Sequence, residues 1–170
     1  MPIIEGAYGL LQYAGTPASG TNEVQTLTIG GTPTGGTFRL TFQGGQTGAI
    51  TWTAVDATLI AAIDTALEAL ANVGAGNVTV AGTTMTSGIG AATITFTGTL
   101  AAQDVGPITA QSSLTGTAPT VTVAVTTPGV AVGGKGAPKG ALLTDTTNGV
   151  LYIQTGTAAS PTWTKVGSQT

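Results

Sequence analysis

The chain has 170 residues, enough for one compact domain with extensions or for two small units. Hydrophobic residues make up 41% and charged residues only 6%, where soluble domains usually carry about 25% charged residues; the chain therefore has material for a core and a surface covered by Thr, Ser, Gln, Asn and Gly. With no His and no Cys, imidazole and thiolate chemistry and disulfides are excluded, and a net charge of −3 with scattered Arg39, Lys135, Lys139 and Lys165 provides no basic footprint for nucleic acid.

Residues 1–21 read as an extended N-terminal arm. Ile3, Ile4, Tyr8, Leu10, Leu11 and Tyr13 supply large apolar side chains, while Gly6, Gly9 and Gly15 interrupt any helical run. These six are the candidate partner-binding residues, and the arm has two places to lie: along its own domain or across a neighbour. The start has neither a basic region nor a long apolar run, so no secretory signal is expected. No apolar stretch in the chain approaches the roughly 18–20 residues of a membrane helix, and no membrane partner is expected.

Residues 22–128 read as a Thr/Gly-rich β domain. Period-2 patterning in residues 24–29 and 37–42, separated by the glycine-rich stretch 30–36, predicts a β-hairpin with a long loop. A third strand falls at 50–53. The period then changes: Leu59, Ile60, Ile63, Leu67 and Leu70 recur at helical spacing, predicting a helix near 57–71 with Asp56 as N-cap and Gly74 beyond its end. Asp64 and Glu68 fall on the opposite side of that helix, which the pattern places in water. Strands resume at 78–80, 93–96 and 120–125, with a long connection over 98–119.

Residues 129–140 read as a Gly-rich linker, and 141–170 as a C-terminal β-meander. Asn148-Gly149 between two apolar runs is a strong hairpin signal, since both residue types accept positive φ. Three short strands hold too little core to stand alone, so the meander is expected to dock or self-associate.

The search for chemistry finds turns and scaffolding. The carboxylates Glu5, Glu23, Asp56, Asp64, Glu68, Asp104 and Asp145 are dispersed. Asp145 with Asn148 and Gly149 lacks the alternating acids of a calcium loop. Residues 129–135 match G-x-x-x-x-G-K, but Gly136 replaces the Ser/Thr that holds magnesium, and Pro138 prevents a helix from starting there. Asn77-Val78-Thr79 fits a glycosylation acceptor in form only. Trp52, Trp163, Tyr152 and Phe38 read as core anchors, with an aromatic sugar platform as the alternative. No catalytic residue, cofactor or metal site is expected, and the chain reads as non-enzymatic.

Two stretches carry a resemblance. Residues 23–44, followed by the helix and residues 72–80, resemble a repeat-like module in structural proteins of tailed bacteriophages. Residues 139–163 look like a β segment of phage head-fibre, decoration and tail-fibre proteins. The resemblance implies a virion structural protein, and the small size favours a capsid decoration (cement) protein on the outer capsid surface. Its implied partners are the major capsid protein and further copies of itself, as a homotrimer. A receptor- or glycan-binding fibre module that meets a host-surface glycan, or a tail-tube or other particle subunit, are the alternatives. The expected architecture is mainly β (α+β): a β-sandwich-like domain with one helix packed on a sheet, an extended arm and a small C-terminal meander.

Overall fold

The structure is a computed structural model that describes residues 4–5, 11–13, 20–130, 137–157 and 161–167, the first two stretches by backbone alone. Its chain divides into two compact units, Asn22–Gly129 and the combination of Met1–Thr21 with Val130–Thr170. Strands β1 (Ile4–Glu5) and β2 (Leu11–Tyr13) precede the larger unit. That unit holds β3 (Val24–Phe42), β4 (Gly45–Gln46), β5 (Ile50–Thr51), α1 (Asp56–Glu68), β6 (Val78–Gly82), β7 (Gly90–Phe96) and β8 (Thr109–Thr127). Strands β9 (Leu142–Asp145), β10 (Val150–Gln154) and β11 (Trp163–Lys165) follow. The chain is mainly β with one α-helix among the described residues, a β-rich α+β fold.

The larger unit is organised by β3. This 19-residue strand does not turn back at its glycines, as the hairpin reading expected; it continues through them and pairs along its length with the equally long β8. On its other side β3 pairs with β7 through residues 24–29 and with β5 and β4 through residues 37–42. The buried set moves from Leu27 and Ile29 to Phe38, Leu40 and Phe42, an odd-to-even switch across residues 30–36. Register shifts at Gly30/Thr32 and Pro33/Gly35 accompany it, since an unpaired bulge residue moves later side chains to the other face. Glycine is required at this crossing. A Cβ on Gly31, where φ is +74°, would lie 2.1 Å from the Ala118 carbonyl oxygen. A long alternating strand with a glycine-rich centre thus looks like a hairpin in sequence, and its partner lies some eighty residues away.

The same pairing redefines residues 98–119. A short 3₁₀ turn occupies Gly98–Leu100, and from Thr109 the chain is already strand β8.

Helix α1 buries Leu59, Ile63 and Leu67 in the core formed with Phe38, Phe42, Ile94 and Phe96. Each such burial contributes about 1.5–3 kcal/mol. The Phe42 and Phe96 rings sit 5.2 Å apart at 30°. The helix ends at Glu68, earlier than its pattern predicts, because residues 69–74 turn back to bury Leu70 and Val73. Gly74, at φ +77°, closes this turn through a backbone bond to Leu70. Val55, not Asp56, occupies the N-cap, and it caps without a side-chain bond.

In the second unit β10 pairs antiparallel with β9 and β11, and β2 adds parallel to β9 in the register Leu11↔Leu143, Gln12↔Thr144, Tyr13↔Asp145. The described arm backbone is therefore part of the meander's sheet. Residues 131–136 of the Gly-rich segment lie outside the described residues. No helix among the described residues is long and apolar enough to cross a membrane.

Candidate functional site

The carboxylates come first, as the chemically able groups. Glu23 is fully buried beside fully buried Gln25. Its Oε1 accepts the Gln25 side-chain amide at 2.6 Å, and its Oε2 accepts the Val105 N–H at 2.8 Å. Gln25 then accepts the Ile108 N–H at 2.8 Å and donates to the Gly106 carbonyl at 3.1 Å. The pair stands in for a strand ladder, satisfying the irregular segment that leads into β8.

Three acids on α1 do similar work, and the solvated-face reading of Asp64 and Glu68 is corrected. Asp64 Oδ1 accepts the Val80 N–H at 2.9 Å, and Glu68 Oε1 accepts the Gly76 N–H at 2.6 Å. Asp56 Oδ1 accepts the Gly88 N–H at 2.6 Å, which explains why it does not cap its own helix. Asp56, Asp64 and Glu68 recur at multiples of four residues, so they form one stripe. The sequence pattern marked that stripe as polar; what it could not show was the row of backbone donors opposite. Asp104 is exposed, and the Glu5 side chain lies outside the described residues.

Asp145 is fully buried in the β9–β10 turn. Its carboxylate accepts the Thr147 and Asn148 N–H groups at 3.0 and 3.1 Å and the Asn148 side-chain amide at 2.7 Å. The turn is thus a loop of four residues built on Asp145 rather than a two-residue Asn-Gly turn; only Gly149 takes positive φ, at +67°. No group of three or more acids placed to hold a metal ion occurs among the described residues.

The aromatic candidates divide between the units. Phe38 is core, and Trp52 packs partly against that core while its indole N–H donates to the Gly88 carbonyl at 2.9 Å. On the β10–β11 pair, Tyr152 lies opposite Lys165 and Gln154 opposite Trp163, so these four share one face. Gln154 is buried there and donates to the Ala137 and Thr157 carbonyls; Tyr152 and Trp163 are half-buried. Asn77 commits its side chain to Val73 and to Thr99.

Of the six arm residues singled out by sequence, Ile3, Tyr8 and Leu10 lie outside the described residues. Ile4 sits in β1, and Leu11 and Tyr13 sit in β2, their backbones paired as given above. Residues 131–136 of the G-x-x-x-x-G-K match are likewise outside them.

What remains is surface, and two parts of it are free of charge. A shallow groove of about 700 Å³ runs between the outer side of α1 and the chain around β5. It is lined by Gly48, Ala49, Ile50, Thr58, Ala62 and Ala66 among others, with no charged side chain in the lining. The second surface is β8, which among the described residues pairs only with β3 and carries no charged residue from Thr109 to Thr127. Both suit contact with another protein surface, and neither assembles groups for proton transfer or nucleophilic attack.

No family model and no curated protein matches the chain. Among solved structures, a chain from Mycobacterium phage Patience is similar at 18% identity and a TM-score of 0.46, over 95% of this chain and 65% of that one. The chain therefore spans about two thirds of the length of that structure.

Proposed function

We propose that this protein is a non-enzymatic virion structural protein that decorates the outer surface of a phage capsid, with the major capsid protein as its partner. The observation that carries the reading is a pair of uncharged surfaces on the larger unit: the groove along α1 and the 19-residue strand β8 contain no ionisable side chain. A surface without charges lacks the usual protection against association, so it suits a protein that works while docked. The described carboxylates Asp56, Asp64, Glu68, Glu23 and Asp145 support the non-catalytic part, because each holds backbone or amide N–H groups. Bridging subunits of a shell needs about 1,200–2,000 Å² of buried surface for a stable contact.

The experiment is to prepare particles without this protein and add the purified chain back. Saturable binding, with new density on the outer capsid surface by electron cryomicroscopy, is the expected result. Binding to tails alone, or none to either, overturns the proposal.

A second reading has its own observation: Tyr152, Trp163 and Lys165 share one face of the meander, an arrangement that suits stacking against a sugar ring. A glycan array probed with the purified chain decides it, with loss of signal in Trp163→Ala as the expected signature.

A further inference from the structure

We infer that the outer edge of β8, within Thr120–Val125, is a self-pairing surface on which a second copy of this chain adds antiparallel, joining two sheets across a two-fold axis. The larger unit's sheet has flanks at β6 and β8, and they are treated differently. At the β6 flank the Asp64 carboxylate occupies the Val80 N–H, and α1 packs alongside. At the β8 flank no strand among the described residues pairs with the outward side of Thr120–Val125, and β8 is 19 residues long against five in β6. Proteins blunt such edges with charges, prolines, bulges or short strands; β8 has Pro119 and an irregular stretch before it, and within Thr120–Val125 none of these.

The segment Thr120–Val125 reads Thr-Val-Thr-Val-Ala-Val, which is β-branched at every position except Ala124. Its pairing with β3 is regular from Gly30↔Thr120 to Gln25↔Val125 and shifts at both ends, so the edge is straight only there. Pro119 and the irregular residues 116–119 close it on one side, and the shift beyond Val125 closes it on the other. That confinement specifies a register, which a long featureless edge would not.

The partner's chemistry follows from the edge. An extended strand is its own complement under a two-fold rotation, whereas the five-residue β6 flank of a second copy has its Val80 N–H taken by Asp64 and offers a shorter, interrupted partner for head-to-tail growth. Pairing over six residues supplies about six interchain hydrogen bonds, a substantial part of the roughly ten in a typical interface. With no charged side chain on either copy's strand, no like-charge repulsion opposes it. The inference rests on the sheet alone and stands or falls independently of the capsid reading. It also differs from the homotrimer implied by the resemblance.

The test combines sedimentation velocity over a concentration series with amide hydrogen exchange of residues 120–125. The wild-type chain is expected to pass from monomer to dimer, and the outward-facing β8 amides to gain protection as it does. Ala124→Lys, at an exposed position on the solvent face, is expected to weaken dimerisation tenfold or more, while Thr79→Lys on β6 leaves it unchanged. Mixing Ala124→Lys with Ala124→Glu should restore association. If the lysine variant is misfolded, the wild-type exchange series alone still decides. A chain that stays monomeric, a trimer that Ala124→Lys leaves intact, or β8 protection independent of concentration each overturns the inference, the last because the chain then covers its own edge.

Discussion

The Asp64 carboxylate accepts the Val80 amide at 2.9 Å, so a helix side chain takes the hydrogen-bonding place of a neighbouring strand at the free flank of β6. The same helix reaches the loops on either side through Glu68 to Gly76 and Asp56 to Gly88. Helix α1 is therefore held in two ways, by burial of Leu59, Ile63 and Leu67 and by a stripe of carboxylates that ends the sheet. The stripe commits Asp56, Asp64 and Glu68 to backbone donors in the loops and strand beside the helix.

Asp64→Ala removes the acceptor and leaves the Val80 N–H to water or to nothing. The expected loss is about 1–3 kcal/mol of unfolding free energy, the range for a charge-assisted bond to a part-buried group. Urea denaturation measures it, and faster exchange of the Val80 amide localises it. An unchanged midpoint with unchanged exchange would show that water replaces the carboxylate at no cost.

Glu23→Leu strips the buried acceptor from both the Gln25 side chain and the Val105 N–H. Orphaned buried donors cost about 1–3 kcal/mol each, so this variant should be among the most damaging single changes in the larger unit. Replacing Glu23 with Gln keeps a side-chain oxygen and should recover part of the loss. Thermal unfolding of the two variants side by side checks the ordering.

Gly31→Ala tests the crossing of β3 and β8. The new methyl would meet the Ala118 carbonyl at 2.1 Å in a backbone conformation with φ +74°. The left-handed conformation alone costs about 1–2 kcal/mol, and the overlap adds to it. Gly44→Ala is the comparison, with similarly positive φ but nothing within 4 Å. The expected result is a clearly larger fall in denaturation midpoint for Gly31→Ala than for Gly44→Ala.

Asp145→Ala dismantles the β9–β10 turn by removing the acceptor of three donors. Exchange of the Thr147 and Asn148 amides should accelerate by tenfold or more, corresponding to about 1.4 kcal/mol of lost local protection. If Asn148-Gly149 alone sustained the turn, exchange at those two amides would not change.

How much of this was legible in the sequence varies by element. Leu59, Ile63 and Leu67 announced α1 by their spacing, and the alternation in 24–29 and 37–42 announced strand. The link between those two runs was misread, because Gly30–Gly36 has the composition of a turn whether the chain reverses or bends through it. Strand β8 was half legible: residues 120–125 alternate plainly, while Gln111, Ser112 and Ser113 carry polar residues that only a strand exposed on both faces tolerates. The roles of Asp64 and Glu68 were not legible at all, since a carboxylate facing water and one facing a row of amides have the same spacing in the chain.

By itself the sequence determined the fold class and which side-chain types are available. Composition set a charge-poor β surface, the absence of His and Cys removed whole chemistries, and periodicity located one helix and most strands, because these properties are local. Tertiary structure alone decided which strands are neighbours and which backbone groups meet a side chain. Those depend on pairings such as Gln25 with Val125 and Asp64 with Val80, which bring together residues far apart in the chain and leave no local pattern. The outer edge of β8 is the clearest case. It is an ordinary strand in sequence, and its exposure becomes visible only once β3 has taken its other side.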